Sequence, residues 1–176
     1  MTPHKIIQAL ESDNSTLAKQ QILKDNIDNA EFIEGSTMCL DPLVTFGVKQ
    51  VPITDTMGPG VSWHDFKLLA NELISRGLTG HAARDAIQTM ADNCTIDQWN
   101  DWYRRILIKD LRCGTGAKLI NKVQKDTIPL FGCMLAHDGA KHPKKIKGAC
   151  SVEYKYDGVR VIAIVQKGSA TLYSRN

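Results

Sequence analysis

Apolar residues recur at helical spacing through about the first 125 positions and at strand spacing near the end of the chain. HKIIQALES reads as a short amphipathic helix. STLAKQQILKDN follows, with Ser15 placed as its N-cap and Leu17, Ile22 and Leu23 as core contacts. Residues 41–61 carry Pro42, Pro52, Pro59, Gly47, Gly58 and Gly60 and are expected to form a long surface loop. Ser62 with Asp65 three residues later is a variant capping box. It opens a helix with Phe66, Leu69, Leu73 and Ile74 on its apolar stripe and Gly77 as C-cap. Thr79 is placed to cap GHAARDAIQTMADN. Thr95 with Gln98 forms another capping box before IDQWNDWYRRILIKDL. There Trp99, Trp102, Ile106 and Leu107 are expected to face the core, the tryptophans as packing residues rather than platforms for nucleic-acid bases.

After residue 147 the period changes. ACSVEYKY, VRVIAIVQK and ATLYS are strand-like, with KGS as a turn between the last two. The fold class expected is therefore α+β. A helical domain over residues 1–128 is followed by a Pro/Gly-punctuated linker over 129–147 and a β-rich segment over 148–176. No internal repeat or low-complexity tract is visible.

Composition narrows the class. Of 176 residues, 43% are hydrophobic and 23% charged, which fits a soluble globular chain. No apolar run is long enough for a transmembrane helix, and the N-terminus lacks a signal core, so a cytoplasmic location is expected. Cys39, Cys94, Cys113, Cys133 and Cys150 are odd in number and form no CxxC pair, which points to reduced, mostly buried thiols. Cys133, His137 and His142 lie close together. They lack a fourth ligand and match no zinc spacing, so no metal site is assigned.

Charge is distributed unevenly. Residues 1–100 hold 7 Lys/Arg and 13 Asp/Glu, whereas residues 101–147 hold 11 and 4. A basic block behind an acidic half suggests a surface that faces a polyanion. Within it, RRILIKDLRCGTGAKLINKV has a helix ending near Leu111, then Gly114 and Gly116 around Thr115, then a new helix. Glycines let the backbone approach an anion closely. Free amides and a helix N-terminus beside Arg112 and Lys118 suit a phosphate oxygen. The spacing is neither that of a Walker loop nor that of a dinucleotide fingerprint.

A second constellation is VEYKYDGVRV, residues 152–161. On a strand Glu153, Lys155 and Asp157 share one face, and Val152 and Tyr154 the other. Two carboxylates around one lysine form an ordinary surface ion-pair cluster. Alternatively, Lys155 is a nucleophile, which requires its amine to be unprotonated. Arg160, a bound metal and burial would favour that state, and the carboxylates would oppose it.

EYKYDGVR resembles the K-x-D-G-x-R motif of ATP-dependent ligases and mRNA-capping enzymes, and Ser174-Arg175-Asn176 resembles the start of their S-R-N-G motif. LTGHAARDAIQTM, YRRILIKDLRCGTGAKLINKV and PLFGCMLAH resemble the DNA-binding domain of ATP-dependent DNA ligases of the phage type. The resemblance covers residues 62–176 well and the first 61 loosely. It implies a helical DNA-binding domain followed by the first strands of an adenylation domain, with ATP and Mg²⁺ as cofactors and nicked double-stranded DNA as partner, acting as a monomer. Lys155 would take AMP from ATP as a lysyl–AMP, pass it to a 5′-phosphate and so permit sealing by the 3′-hydroxyl. Glu153 would contact adenine, and Arg160 and Arg175 would lie near the ribose and phosphates. Asp157 and Gly158 would shape the loop presenting the lysine. Arg112, Gly114, Thr115, Gly116 and Lys118 would grip the DNA backbone. The family's later motifs and its C-terminal OB domain do not follow Asn176, so the chain is expected to be an N-terminal fragment, inactive alone in full ligation. A non-catalytic DNA-binding module and an RNA ligase or capping enzyme are the alternatives.

Overall fold

The structure, a computed structural model, describes residues 1–132, 139–141, 148–151, 153–154, 158 and 161–174. The chain divides into two compact units, Met1–Leu130 and Phe131–Asn176. The first is helical and the second contains a two-stranded antiparallel sheet, an α+β composition. Among the described residues no helix is long and apolar enough to cross a membrane.

In the first unit, α1 (Pro3–Ser12), α2 (Thr16–Asp25) and α3 (Ala30–Leu40) precede the long loop. Ser15 caps α2 by accepting from the Ala18 amide, and Asn29 caps α3 by accepting from the Phe32 amide at 3.0 Å. Leu23 is fully buried, but Leu17 is 76% exposed and belongs to the solvent face rather than the core. Ile6, Ile7 and Leu10 of α1 are buried, the stripe expected of an amphipathic helix.

α4 (Trp63–Ile74) starts at the Ser62 cap, whose hydroxyl accepts from the Asp65 amide at 3.1 Å and donates to the Asp65 carboxylate at 2.6 Å. Its C-cap comes two residues before the expected Gly77. Ser75 is its C-cap, and Arg76, not Gly77, adopts the left-handed conformation, with φ of 65°. Contact of the Arg76 guanidinium with the Thr45 hydroxyl at 3.4 Å accompanies that placement. α5 (Gly80–Asn93) follows Thr79, which occupies the N-cap position without a side-chain cap bond.

The next helical stretch is not regular. α6 (Ile96–Gln98) runs into a π-helical turn, Trp99–Tyr103, and then α7 (Arg104–Leu107). Trp99, Trp102 and Tyr103 are buried, with Phe66 stacked on Tyr103 at 4.1 Å between centroids and Phe32 on Trp102 at 5.6 Å. Both indoles are thus core residues. The Thr95 hydroxyl accepts from the Gln98 amide at 3.3 Å, but the Gln98 side chain does not close the box. Its amide oxygen instead accepts from Val61 N at 2.9 Å, and its nitrogen donates to Val61 O at 2.6 Å.

That exchange explains how residues 41–62, which form no helix or strand, are held. Trp99 Nε1 donates to Pro52 O at 2.8 Å, and Arg104 Nε to Val51 O at 3.1 Å. Asn100 pairs with Thr54 through both its oxygen and its nitrogen, at 3.1 and 2.8 Å. Side chains of the π turn and its flanks therefore serve as the ladder a strand would otherwise provide. Phe46, Val51 and Thr54 are buried, so the loop is part of the core as well as the surface. Gly58 is required where the loop meets the end of α5, because a β-carbon there would lie 2.4 Å from the Asn93 carbonyl carbon.

Arg105 is 7% exposed and ties several elements together. It donates to Glu11 and Asp101 at 2.6 Å each, to Leu111 O at 2.9 Å and to Asn100 O at 3.2 Å. Lys109 donates to Met38 O and Asp41 O at 3.0 and 2.6 Å, satisfying carbonyls at the end of α3.

In the second unit, β1 (Val161–Gln166) pairs with β2 (Ser169–Ser174) from Val161↔Ser174 to Gln166↔Ser169. Lys167 and Gly168 form the connection, both at positive φ, 49° and 81°, as a tight two-residue hairpin turn requires. Cys150, Ser151, Glu153 and Tyr154, from the first expected strand, join no sheet. Tyr154 is 91% exposed, so it lacks the packed, half-buried environment that favours a strand residue.

Cys39, Cys94 and Cys113 are free and buried, and Cys150 is free and exposed. Burial pushes the Cys39 and Cys94 thiols up to about 12 and raises that of Cys113. The thiolate is the reactive form, so iodoacetamide at about pH 8 should modify Cys150 and spare these three until the chain is unfolded. Peptide mass spectrometry with and without denaturant reads this directly.

Candidate nucleic-acid interface

Between α7 and α8 (Ala117–Val123), the chain makes the glycine-containing turn singled out in the sequence. Lys109, Arg112 and Gly114 take positive φ, 60°, 52° and 64°. Leu111, Cys113 and Thr115 are buried, while Arg112, Gly114, Gly116 and Lys118 are exposed. The alternation has named anchors. Arg105 holds the Leu111 carbonyl, Lys19 of α2 donates to the Cys113 carbonyl at 2.6 Å, and the Asp110 carboxylate accepts from the Arg112 amide at 2.9 Å. Ile120, fully buried, fixes α8 from below.

Four of the five expected backbone-gripping residues therefore face solvent together, and Thr115 turns inward. α8 has only seven residues, with Gly116 as an N-cap that offers no side chain. Side-chain charge rather than a helix dipole must carry attraction to an anion here.

Arg112 also lines a cleft of about 600 Å³. Its walls include Lys49 and Gln50 from the long loop, Arg84 and Gln88 from α5, and Arg104 from α7, with Val51, Pro52, Ile87 and Ile108 as apolar lining. No Asp or Glu lines it. A neighbouring hollow of about 330 Å³ shares Lys49, Gln50 and Arg84 with it. Among the described residues Lys49, Arg84 and Arg104 form no ion pair. Arg104 is half-buried, and its pKa is lowered first by burial and then by the cations Arg112 and Arg105. A guanidinium stays charged under such pressure. Arg112 has a loose, exposed ion pair with Asp110 at 3.9 Å, so the cleft gathers four cations of which three carry no counter-charge, suited to phosphate oxygens through forked hydrogen bonds.

Lys49, Arg84 and Lys19 were not legible as site residues. Lys49 and Arg84 lie in the acidic half of the chain, where summed charge hides them, and Lys19 is brought to the turn only by the packing of α2. Arg104 lay within the basic run, with no sign that it would face the same cleft as Arg112.

The other constellation is largely out of view. Glu153 is described and exposed, whereas Lys155, Arg160 and Arg175 lie outside the described residues, as do Asp157, Cys133, His137 and His142. Among the described residues no group of three His, Cys, Asp or Glu side chains could hold a metal ion.

No family model matches the chain. It is 30% identical over 175 residues to DNA ligases of Enterobacteria phages T4 and T6, an alignment covering 92% of this chain and 34% of each phage protein. Two solved structures, titled "Pmar-Lig_Pre." and "Pmar-Lig_PreS3", match it with a TM-score of 0.78 at 46% and 47% identity. Each match covers 100% of this chain and 42% of the solved one. Homology to phage DNA ligase thus runs through nearly all of the chain, which spans about a third of the length of the curated relatives it matches.

Proposed function

We propose that this chain serves in ATP-dependent DNA ligation, with residues 1–128 gripping nicked duplex DNA and Lys155 accepting the adenylyl group. The observation that carries the DNA half of this reading is the cleft walled by Lys49, Arg84, Arg104 and Arg112 with no acid in its lining. A phosphodiester backbone is a regular array of single negative charges. Four cations on four different segments, the long loop, α5, α7 and the turn after α7, match an extended anion of that kind better than a compact one. The exposed turn at Arg112, Gly114, Gly116 and Lys118 prolongs the same basic surface. Such contacts position the protein without reading base sequence, as sealing nicks at arbitrary sites demands.

The chemical half rests on the likeness to DNA ligases and on the K-x-D-G-x-R pattern of residues 155–160. In this reading the unprotonated Lys155 Nζ attacks the α-phosphorus of ATP. The N–P bond forms, the bond from that phosphorus to the bridging oxygen breaks, pyrophosphate leaves and the amine loses its proton. The AMP then passes to the 5′-phosphate at the nick, and attack by the 3′-hydroxyl seals the strand and expels AMP. Glu153 is assigned to adenine, and Arg160 and Arg175 to the ribose and phosphates. Mg²⁺ belongs to this chemistry, but the described residues offer no set of ligands for it, and no step is assigned through it.

Binding of a nicked duplex at several salt concentrations tests the DNA half. Log affinity should fall linearly with log salt, by about 0.9 for each phosphate neutralised. Arg104→Ala and Arg112→Ala should each weaken binding by roughly tenfold at low salt and flatten the slope by about one phosphate contact. Slopes unchanged in both variants would remove the cleft from the interface. Equal or better binding to RNA ends, or labelling by GTP rather than ATP, would favour an RNA ligase or capping enzyme.

A further inference from the structure

Lys19 belongs to α2, yet its ammonium reaches the turn between α7 and α8. The residue is 6% exposed, and Nζ donates to the Cys113 carbonyl at 2.6 Å. An ammonium has three donors. Among the described residues no carboxylate pairs with Lys19. A buried cation without a counter-charge is unfavourable by itself, which makes its surroundings informative.

Gly114 covers it. This residue is exposed, sits at φ of 64°, and a β-carbon built on it would fall 2.6 Å from Lys19 Nζ. Any other residue here would place its side chain against the ammonium. Next to Gly114, the Thr115 side chain is 7% exposed, and its hydroxyl turns inward to the Cys113 thiol rather than covering the ammonium. At Gly116 a β-carbon would meet nothing within 4 Å. A gap in the side-chain cover therefore lies over a buried, uncompensated positive charge, with Arg112 and Lys118 exposed on either side of it in sequence.

We infer that Lys19 is a DNA-contact residue: its ammonium forms the charged floor of a backbone-phosphate subsite that opens at Gly114. The inference rests on the reading of this surface as a DNA interface and adds to it a residue from a helix outside the basic run. It also gives Gly114 a role beyond its backbone angle, that of leaving the cation open to a phosphate oxygen.

Nicked-duplex binding by the full chain, measured across a salt series for wild type and Lys19→Met, tests it. Methionine keeps the length and apolar stem of the side chain and removes its charge. The expected result is a loss of affinity of several-fold to about tenfold at low salt, with the slope of log affinity against log salt reduced by about 0.9. A prop that only shapes the turn could weaken binding but would leave the slope intact, so an unchanged slope overturns the subsite. Should Lys19→Met not fold, the wild-type chain supplies the second readout. Its Lys19 side-chain ammonium resonance should shift on titration with nicked duplex, and a signal unmoved at saturation overturns the proposal. A wild-type chain that fails to bind nicked duplex defeats the DNA reading itself. Binding that is normal in affinity and slope without Lys19 defeats the subsite alone.

Discussion

Lys155→Ala should abolish covalent labelling of the chain by ATP carrying a labelled α-phosphate, a loss on the order of a thousandfold or more. The size follows from chemistry. A nucleophile that forms the covalent bond has no partial substitute, unlike a residue that merely steadies a charge. Lys155→Arg should fail as well, because a guanidinium stays protonated and offers no free amine. Both variants should keep their affinity for nicked duplex, since the cleft belongs to the helical unit. The label should resist denaturing gel electrophoresis and be lost in acid, as expected of a phosphoramidate. Persistent labelling of Lys155→Ala would end the assignment of this lysine. Absence of label from the wild type, with DNA binding retained, would leave a DNA-binding module as the better description.

The second large effect lies in the core. Arg105→Met should destabilise the helical unit by about 2–3 kcal/mol, the upper range for losing hydrogen bonds to a charged group and less than for a fully buried pair, because water reaches Glu11 and Asp101. Arg105 is 7% exposed and bonded to two carboxylates and two carbonyls. Its loss would leave Asn100 O and Leu111 O without this donor and remove the cation that Glu11 and Asp101 share. Urea unfolding should show a midpoint lower by about 1–3 M. A change of under about 1 kcal/mol would mean that water replaces the guanidinium easily. DNA affinity should fall too, because the Leu111 carbonyl is the anchor immediately before Arg112.

Much of the helical framework was legible because capping and periodicity are local. Ser15 and Ser62 cap where they were expected to, and the stripe of Phe66, Leu69 and Leu73 is buried. Misplacements occurred where a distant partner decided the matter. Leu17 has the right spacing but no element above it. Gly77 yields the left-handed position to Arg76, whose side chain contacts the loop. Gln98 has the chemistry of a capping box and spends it on Val61 instead. The turn at Arg112 to Lys118 could be read from glycines and charge alone. The cleft could not, because Lys49, Arg84 and Arg104 come together only through the packing of the loop and α5 against α7. Arg105 shows the converse error, since it adds to the count of positive charge but is neutralised by Glu11 and Asp101.

The π-helical turn at Trp99–Tyr103 limits how this protein can change in length. Such a turn holds one residue more than a regular helix would. The turn already absorbs that surplus residue, so a further inserted one, with no widening left to take it up, would rotate everything that follows by about 100° around the helix axis. Arg104 would swing away from Val51 and the cleft, and Arg105 away from Glu11. Hairpin tips and exposed loop ends absorb insertions and deletions readily. Here a single codon gained in frame would misalign the cleft-facing and core-facing arginines together, so variants of this segment can be expected to exchange residues without adding to their number.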